Sequence, residues 1–171
     1  GHWDHGLSVH HPELHVPLLL RWPGMLPAGV RVPGTAALID VFPTLIEQLG
    51  LRPVVGLQGR SLLPLIGGEK STAPAFAEAV KKGAEQKAAY VGDWKVIVGA
   101  DNTPTMLYNI AADPLEQNDL AAGSPDKVKP LADLVQRQVD QNRRMAPGER
   151  PPDVPLSADQ IERLKSLGYV E

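Results

Sequence analysis

The sequence predicts an α/β chain built in two parts, and three patterns support this prediction. A short, nearly continuous apolar run over residues 16–22 is typical of a strand buried on both faces of a sheet. Apolar residues then recur at spacings of three and four over residues 38–49, which predicts a helix covering that sheet. From residue 70 onward, short apolar segments separated by turns predict a small antiparallel sheet.

The predicted helix of the first part has recognisable ends. Gly50 follows its last apolar residue, where a C-terminal cap belongs. Asp40 lies near its start, where a carboxylate interacts favourably with the helix dipole. Pro43 is unfavourable inside a helix and predicts either a start near Val41 or a kink.

The second part contains four predicted strands and a helix. The strands are expected at residues 75–80, 88–91, 94–98 and 106–110. Gly92-Asp93 predicts a hairpin turn between the second and third strands. Residues 125–144 form a predicted amphipathic helix, with Val128, Leu131, Val135 and Val139 on one face.

The chain ends with a proline-rich stretch over residues 146–155 and a final helix over residues 157–168. Ser157 and Gln160 match a capping box at the start of that helix. We therefore expect three regions: a piece of an α/β domain (residues 1–69), an antiparallel subdomain with a helix (70–145), and a linker with a terminal helix (146–171). A lone strand with one helix is not a domain, and the chain begins at Gly1 rather than Met, so we expect it to be part of a longer protein.

Composition excludes several classes of protein. The 171 residues include 17 Lys+Arg, 20 Asp+Glu and no Cys, for a net charge of −3. Without cysteine there is no disulfide, thiolate metal site or cysteine nucleophile. A mildly acidic chain without basic stripes is a poor nucleic-acid binder. No apolar run approaches the about 20 residues of a membrane span, and no signal peptide is visible.

All five histidines lie within residues 1–15 and form the densest set of reactive groups. Histidine suits metal ligation and proton transfer near neutral pH. His11 and His15 have helical spacing, but Pro12 stands where a zincin motif needs glutamate. The acidic residues between Asp93 and Asp119 lack the alternation of a calcium loop, and Asp113-Pro114 predicts a turn. No serine-hydrolase elbow or phosphate-binding glycine loop is present.

The order of the motifs resembles the sulfatase family of the alkaline phosphatase superfamily. The resemblance extends over the whole chain, from residues 3–8 through 15–24, 38–50, 58–65, 92–97 and 107–118 to 164–169. Among these segments, Ile39-Asp40-Val41-Phe42-Pro43-Thr44 is similar to the family's "Val-Asp-x-x-Pro-Thr" helix. The resemblance implies that this chain is the C-terminal part of a sulfatase-like α/β sandwich. This part contains one or two strands and a helix of the main sheet, plus the four-stranded antiparallel subdomain.

The resemblance also implies an activity, the hydrolysis of sulfate esters by a formylglycine hydrate with the help of calcium and basic residues. By the same resemblance, His5 matches the position of a Lys or His that donates to a sulfate oxygen. The Cys/Ser-x-Pro-x-Arg motif of the nucleophile is missing here, and the Asp-Asp pair and other calcium ligands are expected upstream. We therefore expect no metal ligand in this chain and no activity from the chain alone.

The implied substrate is a small sulfate ester or a sulfated glycan, and the family's habit of export suggests a periplasmic or secreted protein. Two other readings stay open. The same motifs fit a phosphodiester or phosphonate hydrolase of the same superfamily. The second alternative is a non-catalytic module that binds a sulfated ligand or a partner, or that binds a metal ion through residues 2–15.

Overall fold

The computed structural model describes residues 8–79, 85–99, 104–145 and 157–166. The chain divides into two compact units, Gly1–Asp140 and Gln141–Glu171. Within the described ranges, none of the helices has the length and apolar character needed to cross a bilayer. The boundary predicted near residue 69 stays a prediction.

The secondary structure begins with helices and continues into a sheet. The elements are α1 (His11–Leu14), a 3₁₀ helix (Leu38–Asp40), α2 (Val41–Gln48), α3 (Leu63–Ile66), β1 (Ala75–Ala79), β2 (Gln86–Val91), β3 (Trp94–Val98), β4 (Pro104–Asn109), α4 (Pro125–Met145) and α5 (Ala158–Ser166).

The four strands form one antiparallel sheet in the order β1-β2-β3-β4, which confirms the predicted subdomain. Gly92 lies in the β2–β3 turn with a φ of 55°, a left-handed conformation that glycine adopts without strain. Lys95 on β3 is directly opposite Tyr90 on β2 and Tyr108 on β4. Because cross-strand partners share a face, these three side chains belong to the same side of the sheet.

The two faces of the sheet pack against different parts of the chain. On one face, Ala89, Val96, Val98 and Leu107 form a buried cluster with Val135 of α4, as the predicted amphipathic pattern requires. On the other face, a second cluster contains Val9 from the N-terminal segment. Its other buried members are Ala79, Ala88, Ile97 and Tyr108. The sheet is therefore covered by a helix on one side and by residues from near the N-terminus on the other.

Helix α2 begins at Val41, as the position of Pro43 predicted, so that the proline lies in the first turn. Asp40 lies at the start of α2, as predicted, but its carboxylate makes no cap bond to α2 itself. It is buried and accepts hydrogen bonds from the backbone N–H groups of Ala37 (3.0 Å) and Arg60 (3.0 Å).

A second buried polar side chain joins α2 to the loop before α3. The hydroxyl of Thr44 donates to the Asp40 carbonyl (2.6 Å) and accepts from the Leu62 N–H (2.8 Å). In the same loop, a Cβ on Gly59 would lie 2.0 Å from the carbonyl oxygen of Ile39, so only glycine allows this approach. The Val-Asp-x-x-Pro-Thr-like helix and the loop at residues 58–63 thus form one hydrogen-bonded unit.

The prediction of a buried strand over residues 16–22 is wrong. These residues have no regular secondary structure, and side chains such as Leu19 (85% exposed) face solvent. A strand needs a neighbouring strand for its backbone N–H and C=O groups. The described strands β1 to β4 pair only with one another, so this segment has no partner.

The final helix confirms the predicted capping box. The Ser157 N–H donates to the side-chain oxygen of Gln160 (2.9 Å), and the Gln160 N–H donates to the Ser157 hydroxyl (3.3 Å). The proline-rich stretch at residues 146–155 lies outside the described residues.

Candidate functional site

A buried carboxylate, Glu116, lies at the centre of the densest polar contacts between the N-terminal segment and the sheet. Its side chain is 1% exposed. It accepts a hydrogen bond from the Lys95 ammonium (2.5 Å) on one oxygen. The other oxygen contacts Nδ1 of His10 (2.7 Å) and accepts from the backbone N–H of His11 (3.1 Å). The Glu116 side chain thus joins β3 to His10 and His11, which precede Glu116 by 106 and 105 positions.

The turn that presents Glu116 is built by its neighbours. The Asp113 carboxylate accepts from the Asn118 N–H (2.7 Å), and the Glu116 N–H donates to the Asp113 carbonyl (3.1 Å). Asp119 accepts from the Leu107 N–H (2.9 Å), which ties the turn to β4. Glu116 itself has a φ of 54°, the only positive value at a non-glycine residue among those described. Such a conformation costs free energy and is retained where the surroundings require it.

Lys95 is fully buried because two tyrosines flank it on the sheet. Its side chain is 0% exposed, and its ammonium lies 5.0 Å from the centre of the Tyr90 ring. A buried ammonium is costly unless it is paired and hydrogen-bonded, and Glu116 supplies that pairing. The hydroxyl of Tyr90 is buried with no hydrogen-bond partner among the described residues.

The segment over residues 8–15 is held by several contacts besides Glu116. Val9 is 0% exposed in the sheet cluster. The Ser8 hydroxyl donates to the Glu13 carboxylate (2.5 Å). The His11 and His15 rings stack at 4.4 Å across the single turn of α1. These contacts fold the histidine-rich segment into a compact unit against the sheet.

Burial and hydrogen bonding set the ionisation of this cluster. Burial alone raises the pKa of Glu116, but the hydrogen bonds from Lys95, His10 and His11 outweigh it, so that the pKa lies below its ordinary value. Burial lowers the pKa of Lys95, an effect that its bond to Glu116 opposes. Burial, followed by the neighbouring His15, lowers the pKa of His11. Glu116 is therefore ionised at neutral pH and acts as a hydrogen-bond acceptor only.

The sequence-predicted site residue, His5, lies outside the described residues, as do His2 and Asp4. Of the histidine cluster, the structure brings His10 and His11 to Glu116 and places His15 against His11. In the described part of the chain, no group of three or more His, Cys, Asp or Glu side chains could hold a metal ion. The resemblance places the calcium ligands of the complete enzyme upstream of this chain, so it implies no calcium site among these residues.

Sequence reasoning missed the partnership between Lys95 and Glu116. The signal was a lysine inside the apolar run Trp94-Lys95-Val96-Ile97-Val98, on a strand whose two faces are both covered. Such a lysine needs a carboxylate partner. The sequence alone does not show which of the nearby acidic residues supplies it.

Comparison with known proteins identifies the family. The family model described as "N-sulphoglucosamine sulphohydrolase, C-terminal" matches residues 1–144. Arylsulfatase K of Danio rerio is 32% identical over 144 residues, covering 78% of this chain and 27% of the relative. Arylsulfatase K of Homo sapiens is 28% identical over 133 residues, covering 70% of this chain and 25% of the relative. The chain thus spans about a quarter of the length of these relatives.

Solved structures support the same fold. The protein Ps i-CgsB, also solved in complex with k-i-k-neocarrahexaose, superposes with a TM-score of 0.63 at 21% identity, over 85% of this chain and 32% of that one. The protein BT4656, solved with its substrate D-glucosamine-2-N,6-O-disulfate, gives a TM-score of 0.50 at 24% identity, over 66% of this chain and 25% of that one. Since the C-terminal family model covers most of the chain and the expected α/β fold is present, the chain belongs to the sulfatase family.

Proposed function

We propose that the complete protein containing this chain hydrolyses sulfate esters, and that this chain supplies its C-terminal part. The observation that carries the proposal is the match of residues 1–144 to the C-terminal model of a sulphohydrolase family. The identity of 32% to an arylsulfatase K over most of the chain supports the same reaction class.

In this proposal, His5 donates a charge-assisted hydrogen bond to an oxygen of the substrate sulfate. A protonated imidazole suits that task because hydrogen bonds between charged groups are short and strong. His5 precedes His10 by five residues in the sequence. The residues that follow it, from position 8 onward, are attached to the sheet through Val9, His10 and His11.

We propose that the reacting nucleophile lies outside these 171 residues, which hold no cysteine and no Ser-x-Pro-x-Arg sequence, and that the calcium ligands lie outside them as well. The chain's own contribution is binding and orientation. We therefore propose that these residues alone turn over no sulfate ester.

The substrate class that we propose is a sulfated sugar or glycan. The family model carries the name of an enzyme acting on N-sulphoglucosamine, and BT4656 was solved with a disulfated glucosamine. The arylsulfatase names of the relatives make a synthetic aryl sulfate a suitable assay substrate.

We also propose that residues 1–69 belong to a larger α/β domain and residues 70–145 to a separate subdomain, with residues 146–171 as linker and terminal helix. Many large apolar side chains between residues 16 and 57 are exposed, among them Val16, Leu19, Phe42 and Val55. A contiguous apolar surface in a protein usually meets another surface. The remainder of the α/β domain would supply it.

The test is the effect of His5→Ala on substrate binding in the complete protein. Loss of a hydrogen bond to a charged group costs about 1.5–3 kcal/mol, so we expect KM for an aryl sulfate to rise at least about tenfold. Asp133→Asn, in the exposed Lys129–Asp133 pair of α4, is the control. Equal kinetic constants for wild type and His5→Ala would contradict the assigned role.

A further inference from the structure

Glu116 bonds to two consecutive residues of the N-terminal segment as well as to Lys95. A carboxylate needed only to neutralise a buried lysine requires one such contact. Here one oxygen serves Lys95 and the other serves both His10 Nδ1 and the His11 N–H. The arrangement uses the carboxylate as a bridge between β3 and residues 10–11.

The bridge is rigid at both ends. Lys95 is the second residue of β3 and is opposite Tyr90 on β2 and Tyr108 on β4. Val9, adjacent to His10, is fully buried against the same face of the sheet. The unusual φ of Glu116 directs its side chain into this contact from a turn fixed by Asp113. Few conformations of the segment satisfy all of these contacts at once.

We infer that Glu116 is a positioning residue, which fixes residues 8–15 on the antiparallel sheet; this segment begins three residues after His5 in the sequence. This inference rests on the proposed function for its kinetic consequence, but the fixing of the segment is testable without any activity. In this inference the antiparallel sheet contributes to substrate binding, because it holds residues 8–15 in place.

The test compares two double variants of the complete protein. The Lys95→Met/Glu116→Met variant removes both charges and both acceptor oxygens of residue 116. The Lys95→Met/Glu116→Gln variant also removes both charges but keeps one acceptor oxygen at residue 116. Replacing both members of a buried ion pair by hydrophobic side chains of similar size is often neutral for stability, so the Lys95→Met/Glu116→Met variant should fold. Denaturant unfolding checks that the Lys95→Met/Glu116→Gln variant folds as well. The difference between the two variants therefore measures the effect of the hydrogen bonds that residue 116 makes to His10 and His11. Asp133→Asn, in the exposed Lys129–Asp133 pair of α4, is the control.

The first readout is amide hydrogen exchange at His11, whose N–H is bonded to Glu116. We expect exchange to accelerate about tenfold or more in the Met/Met variant, because a hydrogen bond to a charged acceptor is lost. In the Met/Gln variant it should stay within about threefold of wild type. Equal protection of His11 in wild type and in the Met/Met variant would overturn the inference.

The second readout is the kinetics on an aryl sulfate. Misplacing a binding group by about 1 Å can lower the rate about a hundredfold. We expect kcat/KM to fall at least about tenfold in the Met/Met variant, with recovery in the Met/Gln variant. Equal losses in both variants, at equal stability, would overturn the positioning role. If the wild type hydrolyses no sulfate ester, the proposed function fails and the exchange measurement alone decides the inference.

Discussion

Glu116 shows how one side chain can serve stability and organisation together. It is ionised, buried and in contact with a lysine, an imidazole and a backbone N–H. Removing one member of a buried pair leaves the other as an uncompensated charge, which typically costs 3–5 kcal/mol. Lys95 would be that charge, since its ammonium is fully buried beside Tyr90.

The pKa of Glu116 predicts how stability depends on pH. Its pKa in the folded chain lies below the ordinary value of 4.5, so its contribution is present above about pH 4.5 and is lost as pH falls through the folded pKa. We expect the free energy of unfolding to fall in this acid range. In Glu116→Gln that contribution is absent, so its curve should be flatter. Denaturant unfolding between pH 3 and 7 measures both, and parallel curves would contradict the prediction.

Tyr90 carries a hydroxyl that has no hydrogen-bond partner among the described residues. The group is buried, and burying a hydroxyl without a hydrogen bond costs about 1–3 kcal/mol. Tyr90→Phe keeps the ring beside Lys95 and removes the hydroxyl. We expect the variant to be more stable by about 1 kcal/mol in denaturant unfolding. A loss of more than about 1 kcal/mol would show that the hydroxyl has a partner in solution.

Among the secondary-structure elements, the strands and α4 were predictable from their patterns. Short apolar segments separated by turns, with Gly92-Asp93 between the second and third, were sufficient to predict the sheet, because its four strands are joined by short connections. The apolar run at residues 16–22 was misassigned because its composition fits a strand while the described residues hold no partner for it. Whether an apolar segment forms a strand depends on whether a neighbouring strand is available to pair with it, as well as on its own composition.

The contact between the α2 entry and the loop at residues 58–63 gives a further prediction. Gly59→Ala would place a methyl group 2.0 Å from the Ile39 carbonyl oxygen, so the backbone must move. We expect a loss of about 2 kcal/mol or more in the free energy of unfolding, because overpacking costs about 1–3 kcal/mol. Gly123→Ala, whose Cβ would meet its nearest neighbour at 3.9 Å, is the control. Equal stabilities of the two variants would contradict the close approach.

For the whole molecule, the order of the motifs in the sequence was sufficient to predict the sulfatase family. The candidate site, however, could be predicted only in part. His5 was singled out by resemblance. The contacts that hold the segment after it depend on Lys95, His10 and Glu116, which are distant in sequence and gain meaning only when the sheet brings them together. Periodicity reports local structure and carries no information on such long-range pairs.

We propose that the complete protein containing this chain is a hydrolase of sulfate esters. The most direct test measures kcat/KM of that protein on 4-nitrophenyl sulfate and on bis(4-nitrophenyl) phosphate under the same conditions. The two substrates share a chromogenic leaving group and differ in the transferred group, so their ratio reports the reaction class. We predict a clear preference for the sulfate ester, by at least about tenfold. A preference for the phosphodiester, or no turnover of either, would contradict the claim.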